Sequence, residues 1–148
     1  MKLQHRLAVP VSRTLVWAQF EDVPGVAACV PGAEGVIAIS ASRYRGRMVV
    51  GVGPVRLALE GDLDVEGRDE GAGRLVLRAA GSDRRLGGAV RAVIEITLTA
   101  AGDQDTEILI DSDVVVLGRI GELGQPIMRR KADEVMRAFA ANLAERLA

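Results

Sequence analysis

From residue 43 to residue 117, apolar and polar side chains alternate with a period of two, which is the pattern of half-buried β-strands. The clearest segment covers residues 55–66, where one parity is apolar or glycine and the other is almost entirely charged. Successive side chains of a strand point to opposite faces, so such a segment buries one face and exposes the other. The alternation therefore predicts an antiparallel sheet whose apolar face must be covered by another element.

The same pattern and its interruptions predict seven strands. An opening strand alternates from Leu3 to Val9, and residues 33–40 form a second strand that leads to a hairpin at Ala41-Ser42. The inward-facing positions of the other five strands lie within residues 44–52, 55–65, 75–79, 90–98 and 108–116. Short Gly- and Asp-rich hairpin loops are expected at Gly67 to Gly73, Asp83 to Gly88 and Ala101 to Asp105.

Three helices complete the prediction. Ser12 is a good N-cap for a short helix that ends near Phe20, and Asp22 followed by Pro24 indicates a second short helix. From about Gly121 the apolar residues recur at spacings of three and four, which predicts a long amphipathic helix. The expected fold is a single α+β domain over residues 1–148: a curved seven-stranded antiparallel sheet with two short helices and a long C-terminal helix over the concave face.

Composition narrows the classes of function. One histidine (His5) and one cysteine (Cys29) provide no cluster of metal ligands and no intramolecular disulfide. The 19 basic and 20 acidic side chains nearly cancel, which argues against a nucleic-acid-binding domain. No run of 18 apolar residues and no signal-peptide pattern is present, so we expect a soluble, cytoplasmic protein.

Few polar side chains are expected to point inward. His5, Tyr44 and Ser112 have the inward parity, whereas the acidic residues of the strands fall mainly on the outer parity. A serine nucleophile with a histidine base needs an orienting carboxylate, and none is predicted on the inner face, so we assign no catalytic residue. The three residues are interpreted either as hydrogen-bonded members of the core or as polar anchors for an apolar ligand.

The apolar face of the sheet is interpreted either as part of an ordinary filled core or as the wall of a ligand cavity between sheet and helix, and the second interpretation is the more specific. Gly46 and Gly61 mark either a bend of the sheet or space for a ligand, and the methionines are either ordinary core or a deformable wall. The predicted cavity-lining residues are His5, Trp17, Tyr44, Met48, Leu59, Leu77, Ile94, Ser112, Met128, Met136 and Phe139. The basic run Arg129, Arg130 and Lys131 is either a solvated face or a docking patch for an acidic partner or anionic lipid headgroups.

Three groups of motifs in chain order resemble one known family. The first comprises Val9-Pro10, Val16-Trp17, Asp22 and Val30-Pro31-Gly32-Ala33, with Ala33 at a position that is often cysteine in the family. The second comprises Tyr44-x-Gly46, Val50-x-x-Gly53-Pro54 and Gly61, and the third is the segment from Gly118 to Gly124. Together they resemble the CoxG family of carbon monoxide dehydrogenase subunits, which belongs to the SRPBCC or START-like superfamily.

The resemblance implies a helix-grip fold whose cavity binds a hydrophobic small molecule, a quinone or a lipid, with no covalent cofactor. It also implies a non-enzymatic accessory role, in which the protein assists membrane docking or electron transfer of a molybdenum-containing CO dehydrogenase. Membrane contact would be at most peripheral, at the inner face of the cell membrane. Two alternatives stay open: a cyclase/aromatase- or hydrolase-like enzyme that uses the same cavity, and a pure protein-interaction module.

Overall fold

A computed structural model describes all 148 residues. The strands are β1 (Lys2–Val9), β2 (Ala33–Ala38), β3 (Arg43–Val52), β4 (Val55–Asp69), β5 (Arg74–Asp83), β6 (Gly88–Gly102) and β7 (Asp105–Gly118). The helices are α1 (Arg13–Glu21), α2 (Val23–Ala27) and α3 (Gln125–Leu147), with a 3-10 turn at Arg119–Leu123.

All seven strands form one antiparallel sheet in the order β1-β7-β6-β5-β4-β3-β2. The side chains alternate between more and less buried positions along β1, as they do along much of β3 and β7. Helix α3 has 23 residues, which corresponds to a length of about 34 Å, and its Phe139 and Leu143 are buried. The predicted α+β fold, with a long helix packed on a curved sheet, is therefore confirmed.

Both short helices begin at the predicted caps. The Ser12 hydroxyl accepts a hydrogen bond from the Leu15 amide, and the Asp22 carboxylate accepts one from the Gly25 amide at 3.2 Å. These side chains satisfy amide groups that have no partner inside the first turn of a helix. Helices α1 and α2 follow each other between the end of β1 and the start of β2.

Several predicted boundaries are wrong. The long helix begins at Gln125 and not near Gly121, because Gly124 has φ +87°, outside the helical region, and separates the 3-10 turn from α3. The second strand ends at Ala38, before residue 40. Strand β4 continues to Asp69 through a bulge between Val65 and Gly67, so the predicted loop that begins at Gly67 is shorter than expected.

The concave face carries two separate groups of buried apolar side chains. The larger one joins α1, the last turns of α3 and the strand ends around Leu98 and Ile108, and the smaller one is centred on Val52, Leu57 and Ile120. The strand positions between them are mostly small. Ala79 lies opposite Ala92, and three glycines face one another on neighbouring strands at positions 46, 61 and 81. Small side chains in this region leave unfilled volume on this part of the sheet.

Close packing requires glycine at position 61. A Cβ atom there would overlap the carbonyl oxygen of Ala80 and lie 2.6 Å from the Cα atom of Gly81. At Gly46 a Cβ atom would lie 2.9 Å from a methyl group of Val36. The sequence allowed two interpretations of these glycines, a bend of the sheet or space for a ligand. Close approach of backbones in a bent sheet accounts for Gly61 directly. Both residues also border a cavity that is described below.

Candidate ligand-binding site

A cavity of about 320 Å³ lies between the sheet, α2 and α3, and we call it the apolar chamber. All sixteen residues that line it are hydrophobic: Phe20, Val23, Val26, Ala27, Val30, Ala33, Met48, Leu63, Leu75, Leu77, Ile94, Ile96, Ile110, Val135, Met136 and Phe139. An engineered cavity of about 150 Å³ with a similar lining stays dry and binds benzene. The chamber therefore has space for roughly two groups of that size and offers them only apolar contacts.

A second cavity of about 230 Å³ adjoins the first, and we call it the junction chamber. The two chambers share Ala27, Ala33, Met48 and Leu63. The junction chamber contains polar side chains as well, because its wall includes Tyr44 and the charged residues that follow it on β3. Tyr44 lies directly opposite Leu63 in the β3–β4 ladder, beside the place where the chambers meet.

Seven of the eleven predicted cavity residues lie around these chambers. The apolar chamber is lined by Met48, Leu77, Ile94, Met136 and Phe139. Met48 also borders the junction chamber, together with Tyr44 and Leu59. Whether they contact a ligand stays a prediction.

The other four predicted residues lie elsewhere. Trp17 belongs to the larger buried group, and Met128 packs against the smaller one. Neither His5 nor Ser112 lines either chamber, although both have the inward parity.

Helix α2 and the segment after it contribute to the wall in a way that the sequence did not indicate. Val23, Val26, Ala27 and Val30 all line the apolar chamber. Helix α2 has only five residues, which is too short for a helical periodicity to identify its inner face. Only the apolar composition of residues 23–30 provided a signal.

His5 has an acidic partner that parity along the strands does not reveal. Its Nε2 atom lies 2.8 Å from Oδ1 of Asp133, a residue of α3. The Nδ1 atom of His5 is buried and has no hydrogen-bond partner. The expectation that no carboxylate orients His5 is therefore wrong, because it considered acidic residues of the strands and not of the covering helix.

This pair does not form a catalytic triad. The Ser112 hydroxyl makes no hydrogen bond to His5, whose ring is hydrogen-bonded to Asp133 alone. Ser112 pairs with Leu3, whereas His5 pairs with Ile110, so the two residues occupy diagonal positions on the neighbouring strands and are not direct partners.

Cys29 is a buried free thiol whose Sγ atom donates to the carbonyl oxygen of Gly25 at 3.7 Å. Burial raises the pKa of the Cys29 thiol, and the nearby Arg146 lowers it by a smaller amount. A raised pKa reduces the thiolate fraction at neutral pH, and with it the reactivity of the sulfur. Cys29 is thus a packing residue.

The basic run of α3 is only partly free. Arg129 donates to the carbonyl oxygen of Lys2 at 2.9 Å, and Lys131 lies 3.5 Å from the Glu134 carboxylate. Arg130 is exposed and forms no ion pair within the protein. Exposed pairs of this kind contribute little to stability, so they do not explain why the cations are clustered.

The fold has clear relatives among solved structures. A conserved protein from Geobacillus kaustophilus superposes with a TM-score of 0.89 at 18% identity, over 99% of this chain and 95% of that one. A START superfamily protein from Mycobacterium smegmatis superposes with a TM-score of 0.72 at 12% identity, over 99% and 96%. The Zhui aromatase/cyclase from Streptomyces sp. R1128 gives 0.70 at 16%, over 99% and 93%.

A curved sheet packed around a long helix, with an apolar cavity between them, is the helix-grip fold that this chain shares with these START-like structures. Within this class the sequence matches the model of the CoxG family of carbon monoxide dehydrogenase subunits over residues 6–148, and the chain belongs to that family. No curated protein sequence matches the chain. None of its helices has the length and hydropathy needed to cross a membrane.

Proposed function

We propose that the protein is a non-enzymatic accessory protein that binds a lipid or a quinone in the apolar chamber. The observation that carries the proposal is the lining of that chamber, in which all sixteen residues are hydrophobic. A cavity without polar groups favours a guest that is itself largely hydrocarbon. Its size, about 320 Å³, is within the usual range for small-molecule sites.

The absence of titratable side chains from the apolar chamber favours binding over catalysis. General acid–base chemistry needs a group within hydrogen-bond reach of the reacting atoms, and the single histidine of the chain lies outside both chambers. Some relatives of the fold are enzymes, such as the aromatase/cyclase and a norcoclaurine synthase from Thalictrum flavum (TM-score 0.66, 17% identity, covering 98% of this chain and 91% of that one). Their likeness to this chain extends to the fold alone.

Membership of the CoxG family supports the second part of the proposal. The protein assists a molybdenum-containing CO dehydrogenase-like complex, in membrane docking or in electron transfer, at the inner face of the cell membrane. Arg129, Arg130 and Lys131 form the docking patch for the acidic partner. Replacing all three with glutamate should abolish capture of that complex and leave ligand binding unchanged, since the patch lies outside the chambers. Capture that survives the reversal removes this patch from the proposal.

Ligand binding is tested by displacement of Nile red with decyl-benzoquinone, comparing the wild-type protein with Met136→Trp. Tryptophan is larger than methionine, so at position 136 it would narrow the apolar chamber and should weaken binding at least tenfold. Met128→Trp is the matched control, since Met128 lies outside the chamber, and it should bind normally. Equal affinity in all three proteins, or no binding to the wild type, contradicts the proposal.

A further inference from the structure

Tyr44 is a largely buried side chain whose hydroxyl has no hydrogen-bond partner in the protein. It is 7% exposed and lines the junction chamber. The only fully covered side-chain nitrogen or oxygen without a hydrogen-bond partner is Nδ1 of His5. The Tyr44 hydroxyl also forms no hydrogen bond within the protein and is not fully covered, so it can take a partner from solvent or from the junction chamber that Tyr44 lines. A buried phenol usually finds a hydrogen-bond partner, which here must come from outside the chain.

The position of Tyr44 relates this hydroxyl to the apolar chamber. Leu63 lies opposite Tyr44 and lines both chambers, as does Met48 further along β3. A molecule whose hydrocarbon part occupies the apolar chamber would therefore extend past Leu63 with its other end beside the phenol. The hydroxyl can donate one hydrogen bond to an oxygen atom there.

The charges around the junction chamber argue against an ionic end group. Arg45 donates to the Asp62 carboxylate at 3.0 Å, so these two charges compensate each other. Arg47 has no ion-pair partner, but it is exposed and also borders the polar groove on the outer face of the sheet, where water solvates it. Both cations are exposed to water, so they would attract a carboxylate beside Tyr44 only weakly.

We infer that Tyr44 selects an uncharged amphiphile, a hydrocarbon body with a carbonyl oxygen at one end that accepts a hydrogen bond from the Tyr44 hydroxyl. This inference rests on the proposed binding function of the apolar chamber and specifies the ligand class. Of the three residues interpreted as polar anchors from the sequence, Tyr44 keeps that role. His5 and Ser112 do not, because they lie outside both chambers.

The test uses 2-undecanone, undecane and undecanoate, three probes of equal chain length, each displacing Nile red from the wild-type protein and from Tyr44→Phe. The substitution removes only the hydroxyl. We expect the ketone to bind the wild type most tightly and to lose about fivefold in affinity in Tyr44→Phe, the usual effect of one neutral hydrogen bond. Undecane should bind both proteins equally, which also shows that the variant is folded.

Different results separate the two proposals. Equal ketone affinity in both proteins, with undecane still binding, overturns the role of Tyr44 and leaves the chamber as a binding site. Undecanoate as the tightest ligand, weakened by Arg47→Gln, overturns the uncharged class in favour of an anionic one. If no probe displaces the dye from the wild type, the proposed function itself fails, and the inference about Tyr44 fails with it.

Discussion

Replacing Ala27 with leucine distinguishes an open chamber from a solid core, because the substitution should raise the free energy of unfolding in the first case and lower it in the second. Ala27 lies on α2 and lines both chambers. Leucine adds three carbon atoms, and burying each contributes about 0.8 kcal/mol. Ordering the longer side chain costs about 0.5–1 kcal/mol. If the space is open, we expect the free energy of unfolding to rise by about 1.5 kcal/mol.

Ala144→Leu is the matched control. Ala144 also lies on a helix, but it packs against the larger buried group and lines neither chamber. Extra methylenes in a filled core typically cost about 1–3 kcal/mol, so this variant should be destabilised. Urea unfolding of both variants gives the two free energies, with equal slopes m indicating that the unfolded states are comparable. The reasoning is refuted if Ala27→Leu is destabilised as strongly as the control.

Three further predictions concern stability. Gly61→Ala should lower the free energy of unfolding by about 2–3 kcal/mol, because the added methyl group meets the backbone of the next strand. Gly51→Ala is the control: no atom lies within 4 Å of the added methyl group, so stability should change by about 0.5 kcal/mol or less. Similar melting temperatures for the two variants would contradict this. His5→Leu should stabilise the protein by about 1 kcal/mol in urea unfolding, since it removes a buried nitrogen without a partner and leaves Asp133, which is 57% exposed, in water; a clear loss would show that the ion pair outweighs that penalty. Asp83 accepts backbone hydrogen bonds that lower the pKa of its carboxyl group. The wild type should therefore be more stable than Asp83→Asn above the ordinary aspartate pKa of about 3.9, and this difference in stability should vanish as the pH falls through the lowered pKa. A difference that persists in strong acid would exclude this cause.

The fold could be predicted in outline because its main signals are local. Alternation along residues 43–117 identified the strands, and a change of period identified the covering helix. The caps at Ser12 and Asp22 were correct for the same reason, since a cap depends on a few adjacent residues. The predicted start of α3 was wrong because Arg119–Leu123 forms a separate 3-10 turn, whose apolar spacing continues that of the helix.

The site was less predictable because it depends on contacts between distant elements. Parity identified Met48, Leu77 and Ile94 as inward-facing, but it applies equally to Ser112, which lies away from both chambers. The pairing of His5 with Asp133 joins residues 128 positions apart, and no strand pattern contains that information. The position of the junction chamber follows from where small residues on several strands coincide.

The low aromatic content and high aliphatic content of the chain agree with a cavity walled by small and branched side chains. Of the four aromatic rings, Phe20 and Phe139 line the apolar chamber, Tyr44 lines the junction chamber, and Trp17 fills the core beside them. The chamber thus combines an adaptable aliphatic wall with a single buried phenol next to it. That combination is the basis for the ligand class that we propose.

The most direct measurement of the central claim is the identity of what the protein carries when it is purified from its own cells. Native mass spectrometry, followed by organic extraction of the same sample, should find a near-stoichiometric uncharged amphiphile, and its occupancy should fall in Met136→Trp but not in Met128→Trp. A wild-type protein that carries no amphiphile, and whose melting temperature does not rise on addition of decyl-benzoquinone or 2-undecanone, would contradict the claim.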